Sequence, residues 1–191
     1  MKKTIILASS SPRRINMMKD HGFDPVIIPA DIEEHLPSGI GMRDAVMFLA
    51  LKKALAVEHT VLPTHKGSVI IAADTVVYKD EILGKPKDRQ DAFSMLTKIK
   101  NTGHYVATGV AIIEAGKPHR HVFCDVTEVF CKNYTNEDLN AYLDTEEPYD
   151  KAGAYAIQGM FAKHIDHYIG DFDTVVGFPW TRIEEELKAF L

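Results

Sequence analysis

Ser68-Val69-Ile70-Ile71-Ala72-Ala73-Asp74-Thr75-Val76-Val77, continued by Tyr78-Lys79-Asp80-Glu81-Ile82-Leu83-Gly84-Lys85-Pro86, is the stretch on which the fold turns. Uncharged residues lead into Asp74 and two valines follow Thr75, the pattern of a strand buried on both faces. A carboxylate inside such a strand loses several kcal/mol of hydration unless a cation meets it. Asp74 is therefore either a strand-end aspartate in a structural network or the centre of a phosphate and metal site. Two features tilt towards the second. Lys85 follows Leu83-Gly84 and precedes Pro86 on the return arm of a hairpin, and a cationic pair, Arg13-Arg14, stands near the amino terminus.

Outward from this strand, residues 4–8 read as a second short buried strand, broken by Ser9-Ser10-Ser11. Ser11 followed by Pro12 marks a helix start, with a hydroxyl at the N-cap and proline at the first helical position. Ile15, Met17 and Met18 supply an apolar face, and Gly22 ends the helix. Arg13 and Arg14 thus fall in the first turn, where cations oppose the helix dipole. Either they are two solvated arginines, or they form with the serines and the free backbone N–H groups a receptor for a strongly anionic ligand. Residues 23–28 read as a strand closed by Pro29. Asp31-Ile32-Glu33-Glu34-His35 concentrates acid in a turn that is either merely solvated or able to hold a hard cation.

From Met42 a helix runs to about Glu58, with Val46, Leu49, Ala50, Lys53 and Val57 on one stripe. Lys53 interrupts that apolar face, Lys52 lies on the adjacent stripe, and periodicity does not choose between them. Residues 88–100 form a helix with Ala92, Met95, Leu96 and Ile99 inward. Residues 105–114 and 121–131 are strands joined by the turn 115–118. A short helix spans 136–143, and 151–159 is a loop of small residues with Lys151 and Gln158 as polar endpoints. Residues 160–168 suggest another strand, and Gly177-Phe178-Pro179 leads into a final helix over 180–191.

The 191 residues suit one substantial core, so a single domain over 1–191 is expected. A net charge of −5 with interspersed signs excludes a general nucleic-acid binder and leaves room for a local basic pocket. Cys124 and Cys131 are seven apart, an odd offset that puts them on opposite faces of one strand. Two buried, reduced thiols are expected, as in a cytoplasmic protein. No apolar run approaches the roughly 20 residues that span a bilayer, and the amino terminus is too short in apolar residues for a secretion signal. The nine histidines show no metal-binding spacing. The chain also lacks a G-x-S-x-G elbow, a G-x-x-x-x-G-K-[ST] loop and a G-x-G-x-x-G turn.

Five segments in this order resemble the Maf family of septum-formation or Maf-like nucleotide pyrophosphatases, and the likeness spans nearly the whole chain. They are Leu7-Ala8-Ser9-Ser10-Ser11-Pro12-Arg13-Arg14, Ala73-Asp74-Thr75-Val76-Val77, Leu83-Gly84-Lys85-Pro86, Lys151-Ala152-Gly153-Ala154-Tyr155-Ala156-Ile157-Gln158-Gly159 and Val176-Gly177-Phe178-Pro179. The resemblance implies an α/β fold with an elongated mixed sheet flanked by helices, two lobes around a central cleft, similar to the inosine-triphosphate pyrophosphatases. It implies hydrolysis of a nucleoside triphosphate to monophosphate and pyrophosphate with a divalent cation, Mg²⁺ or else Mn²⁺.

By the same likeness Asp74 is the catalytic acidic residue, as general base or metal-holding carboxylate, with Glu34 (or its neighbour Glu33) as the acidic loop position that joins it at the metal. Arg13, Thr75 and Gln158 match positions tied to substrate choice; Ser9, Arg14, Lys53 and Lys85 match the phosphate-binding set. The form of the 151–159 loop resembles the branch acting on dTTP and UTP, with Ala156 where glycine is common and Phe178 where leucine is common. A homodimer is implied, with no nucleic-acid or membrane partner. The competing readings are a nucleotide sensor regulating cell division or septum formation, and a pyrophosphatase for 7-methyl-GTP or for inosine or xanthosine triphosphate. A sensor needs no activated water, so only an enzyme depends on the carboxylate of Asp74.

Overall fold

The computed structural model describes residues 3–191. In chain order its elements are β1 (Ile5–Leu7), α1 (Pro12–Asp20), β2 (Val26–Ile27), α2 (Met42–Val61), β3 (Val69–Lys79), β4 (Glu81–Leu83) and α3 (Arg89–Ile99). They continue with β5 (Gly103–Glu114), β6 (Arg120–Cys131), α4 (Asn136–Leu143), β7 (Ile165–Ile169), α5 (Phe172–Val176) and α6 (Trp180–Leu187). Among the described residues the strands form one sheet of seven, ordered β2-β1-β3-β5-β6-β7, with β4 paired to β3 off that path. β1 runs parallel to β2 and β3, while β3–β4 and β6–β7 are antiparallel, so the α/β sheet is mixed as expected. The chain divides into two compact units. The first holds the chain up to Asp74, Thr108–Asp125 and Gly177–Leu191; the second holds Thr75–Ala107 and Val126–Val176.

In the first unit the pleat of the strands sorts the core into two layers. Ile5, Leu7, Val69, Ile71, Ala73, Val110 and Ile112 share a cluster with Met18 of α1 and Ile183 and Leu187 of α6. Ile6, Ala8, Ile70, Ala72, Ala111 and Ile113 share the other with Ala50, Ala54, Val57 and Val61 of α2. With helices on both faces, β3 is buried from Val69 to Asp74, and this is why its sequence runs apolar without alternation. Gly109 of β5 seats α2 directly on the sheet. A Cβ there would come within 2.4 Å of the Val46 carbonyl group, so only glycine admits the helix this closely.

The second unit is held by caps and aromatic rings. Asp88 caps α3 by accepting from Asp91 N at 2.8 Å, and Thr135 with Asp138 forms a capping box at the start of α4. Phe161 lies within 5.1–5.5 Å, centroid to centroid, of Tyr134, Tyr142, Tyr155 and His164. Tyr134 Oη donates to Leu96 O at 2.6 Å, which ties this ring cluster to α3.

Several elements differ from expectation. Residues 23–28 shrink to β2, because Phe23 turns into the first core and meets Trp180 edge-on at 5.4 Å. Residues 160–164 are a 3₁₀ turn and only 165–169 a strand, since Phe161 and His164, three apart, must both point inward. α5 lies where the sequence showed no periodicity, and α6 ends at Leu187. Ser11 precedes α1 without a side-chain cap; its own N–H instead donates to Ser9 Oγ at 3.2 Å. Cys124 and Cys131 are both buried free thiols, and burial pushes Cys131 up to about 12.

His104 is fully buried in the second unit, its Nε2 2.7 Å from Tyr155 Oη, and burial lowers its pKa from 6.5 to about 4, with Lys79 adding to the shift. A histidine that titrates lower when folded than when unfolded leaves the unfolded chain holding the extra proton. Stability is therefore full above about pH 6.5 and is lost as pH falls towards 4, by at most roughly 3 kcal/mol. Urea melts of parent and His104→Gln across this range check the sign: the variant, weaker at neutral pH, should lose less on acidification. An equally steep acid loss in both proteins would assign it to other groups.

Candidate active site

The parity of β3 decides where Asp74 points. Even-numbered Ile70 and Ala72 face α2, so Asp74 faces α2 as well. One turn beyond Leu49 and Ala50 on α2 stands Lys53, whose Nζ lies 2.5 Å from Asp74 Oδ1. The same Nζ lies 2.6 Å from Glu34 Oε1, so two carboxylates converge on one ammonium. Lys52 instead donates to the Glu33 backbone carbonyl at 2.6 Å and holds the acidic loop against α2. The alternatives left open by helical periodicity are thus divided: Lys53 takes the carboxylates and Lys52 the backbone. Glu34, rather than Glu33, is the loop acid that reaches Lys53.

Asp74 is only 7% exposed. Burial raises its pKa above the ordinary 3.8, and the charge and hydrogen bond of Lys53 pull it back down, helped by Arg14 and opposed by Glu34. Without Lys53 the carboxylate would lose the cation at 2.5 Å that does most to offset its lost hydration.

Arg14 and Ser9 come to the same place from the end of β1. Arg14 Nε donates to Gly177 O at 2.9 Å, and its Nη1 to Ala73 O at 2.8 Å and Ser9 Oγ at 3.3 Å. This one guanidinium holds the Gly177-Phe178-Pro179 turn, the residue before Asp74 and the serine loop together. Burial lowers its pKa to about 10, with Asp74 opposing, so it stays charged at neutral pH. Arg13 differs from it: its Nε is buried with no hydrogen-bond partner among the described residues, at the first turn of α1 where the N-cap side chain is not engaged. Ser9, Arg13, Arg14, Glu34, Lys53 and Asp74 all belong to the first unit.

The remaining candidates belong to the second unit. Thr75 follows Asp74 on β3 and, by the pleat, points to the opposite face. Lys85 is exposed beyond the β3–β4 hairpin, and Gln158 is exposed in the loop of small residues. These two segments are linked, since Gly153 N donates to Gly84 O at 3.0 Å. Gly153 has φ +68° and lies so close to Val77 that a Cβ would meet its side chain at 2.7 Å. Glycine is therefore required there twice over.

No group of three or more His, Cys, Asp and Glu is placed for a metal among the described residues. The donor set of Asp74 and Glu34 nevertheless suits a hard divalent cation, which takes oxygen ligands and commonly only one or two protein carboxylates. A helix start with an open first turn, a buried carboxylate and several fixed cations together can bind a polyphosphate and direct a water at it.

The Maf-like protein family model matches residues 4–190. A dTTP/UTP pyrophosphatase of Desulfitobacterium hafniense (strain Y51) is 42% identical, over 98% of this chain and 86% of its own length. A dTTP/UTP pyrophosphatase of Caldicellulosiruptor bescii is likewise 42% identical, over 97% and 94%. Among solved structures, the Staphylococcus aureus Ham1 protein is similar in fold, with a TM-score of 0.50 at 15% identity over 98% of this chain and 99% of that one. A family match that runs from β1 to the residues after α6, and so takes in the serine–arginine helix start, the buried aspartate and the small-residue loop, means that the chain belongs to the Maf-like family.

Proposed function

We propose that this chain is a nucleoside triphosphate pyrophosphatase that hydrolyses dTTP and UTP to the nucleoside monophosphate and pyrophosphate. The names of the relatives support the substrate class. The observation that carries the chemistry is the buried Asp74 carboxylate held at 2.5 Å by Lys53 within a set of fixed cations. Water adds to phosphorus, the bond between the α- and β-phosphoryl groups breaks, and no covalent enzyme intermediate is needed.

In this reading Asp74 orients the attacking water and accepts its proton, or holds the metal that makes the water acidic. Asp74 and Glu34 would hold a divalent cation, Mg²⁺ or Mn²⁺, which when bound neutralises phosphate charge and lowers the pKa of water. Lys53, Ser9 and Lys85 meet phosphate oxygens. Arg14, with two of its nitrogens already donating internally, supplies a fixed positive charge and holds the serine loop in place. Arg13, Thr75 and Gln158 select the substrate; the Gln158 amide carries both a donor and an acceptor, as the edge of uracil or thymine requires. Such catalysis is mainly positioning and charge stabilisation. The resemblance adds a cytoplasmic homodimer to this reading; the described residues contain no helix long and apolar enough to cross a membrane.

Release of monophosphate and pyrophosphate from a panel of triphosphates with Mg²⁺ tests the assignment. UTP and dTTP should be turned over fastest, and a purine triphosphate outrunning both would contradict it. Asp74→Asn separates enzyme from sensor: kcat should fall by about 10² to 10⁴ while UTP binding survives. A folded variant hydrolysing at the parent rate would defeat the role given to Asp74, and a parent protein that binds UTP without hydrolysing it would favour the sensor. The two arginines should also part company. Arg13→Ala should cost activity and leave the melting temperature near the parent value. Arg14→Ala, which strips three internal acceptors, should lower stability by roughly 2–4 kcal/mol in addition; thermal melts beside the activity assay distinguish the two.

A further inference from the structure

We infer that Glu147, which lies outside the segments that carry the family resemblance, is the positioning residue that sets base discrimination by clamping both ends of the loop carrying Gln158. This rests on the reading of Gln158 given above. The carboxylate and the main chain of Glu147 act in different directions. Its Oε2 accepts from Met160 N at 2.9 Å, immediately after the loop, and its backbone carbonyl accepts from Lys151 Nζ at 2.9 Å, at the loop's beginning. Its Oε1 accepts from Tyr142 Oη at 3.0 Å, and Tyr142 is itself buried at the end of α4. One residue thus ties residues 151 and 160 to a fixed helix.

Gly159 shows that this contact shapes the loop. Its φ of −102° is not the left-handed conformation that favours glycine. Space requires it: a Cβ there would stand 2.2–2.3 Å from the Glu147 carboxylate. Gln158 is the adjacent residue and is exposed, without a side-chain hydrogen bond among the described residues, so the position of its amide follows that of Gly159 and Met160. The middle of the loop has separate anchors, Gly153 N to Gly84 O and Tyr155 Oη to His104. Loss of the Glu147 carboxylate therefore leaves the Gln158 end held only by the turn bonds Gly159 N to Ala156 O at 3.3 Å and Ala162 N to Gly159 O at 3.1 Å and by its buried neighbours, while the rest stays docked. Misplacing a recognition group by ~1 Å can cost about 10²-fold, and the loss should fall on base choice alone.

The test measures kcat/KM for UTP and for CTP, whose pairing edges exchange donor and acceptor at N3 and at position 4, together with inhibition by inorganic pyrophosphate and the melting temperature. In Glu147→Ala and Gly159→Ala the UTP-over-CTP ratio should fall about tenfold or more, with pyrophosphate inhibition unchanged. Glu147→Gln, which keeps one acceptor, should lose less. A folded Glu147→Ala with the parent ratio overturns the inference, and so does a loss of pyrophosphate affinity equal to the loss of UTP use, which would mark general disorder. If Glu147→Ala does not fold, Tyr142→Phe and Glu147→Gln carry the same readout, and the parent ratio in both overturns it. A parent enzyme without UTP preference would instead defeat the function proposed above.

Discussion

The short contact between Lys53 and Asp74 is what the rest of the first unit is arranged to allow. A carboxylate in a strand covered on both faces needs a cation delivered through the covering layer, and α2 delivers it from its core-facing stripe. That delivery depends on how closely the helix approaches the sheet, which the bare backbone of Gly109 against Val46 sets. Pairing is not free stabilisation, because two desolvated charges repay only part of their lost hydration. The chain keeps the pair where a packed apolar core would serve stability as well or better, and that is the physical reason to place chemistry there.

The arginines at the start of α1 illustrate how adjacent identical residues diverge. Arg14 satisfies three backbone and side-chain acceptors and so welds β1, β3 and the Gly177 turn into one frame. Arg13 buries a nitrogen with nothing in the described residues to receive its proton. An unmet buried donor costs free energy unless a ligand completes it, which makes Arg13 the arginine whose environment is incomplete and Arg14 the one that fixes the environment. In the second unit the equivalent frame is made from caps, a ring cluster and glycines that permit close approach.

Much of this was legible in the sequence because it is local. The buried strand around Asp74, the hairpin to Lys85 and the helix start at Pro12 follow from patterns within a few residues. The choice between Lys52 and Lys53 was not, since it depends on which face of β3 carries Asp74 and how α2 lies across it. Residues 160–164 misled because an apolar run with a period of three was read as a strand. Glu147 carried no signal at all: a carboxylate before Pro148 looks like any acidic turn, and only the three-dimensional approach of Gly159 shows what it holds. The tie between the loop and the Lys85 hairpin was equally hidden, being a single backbone bond between segments distant in sequence.

Lys53 is required because Asp74 is buried, and the two act as one unit. A double-mutant cycle in urea unfolding, with Lys53→Met, Asp74→Asn and the two combined, measures this coupling most directly. Lys53→Met alone should destabilise by roughly 3–5 kcal/mol by removing the cation in direct contact with a buried carboxylate, and adding Asp74→Asn should restore most of that loss. Losses that simply add in the double variant would contradict the claim.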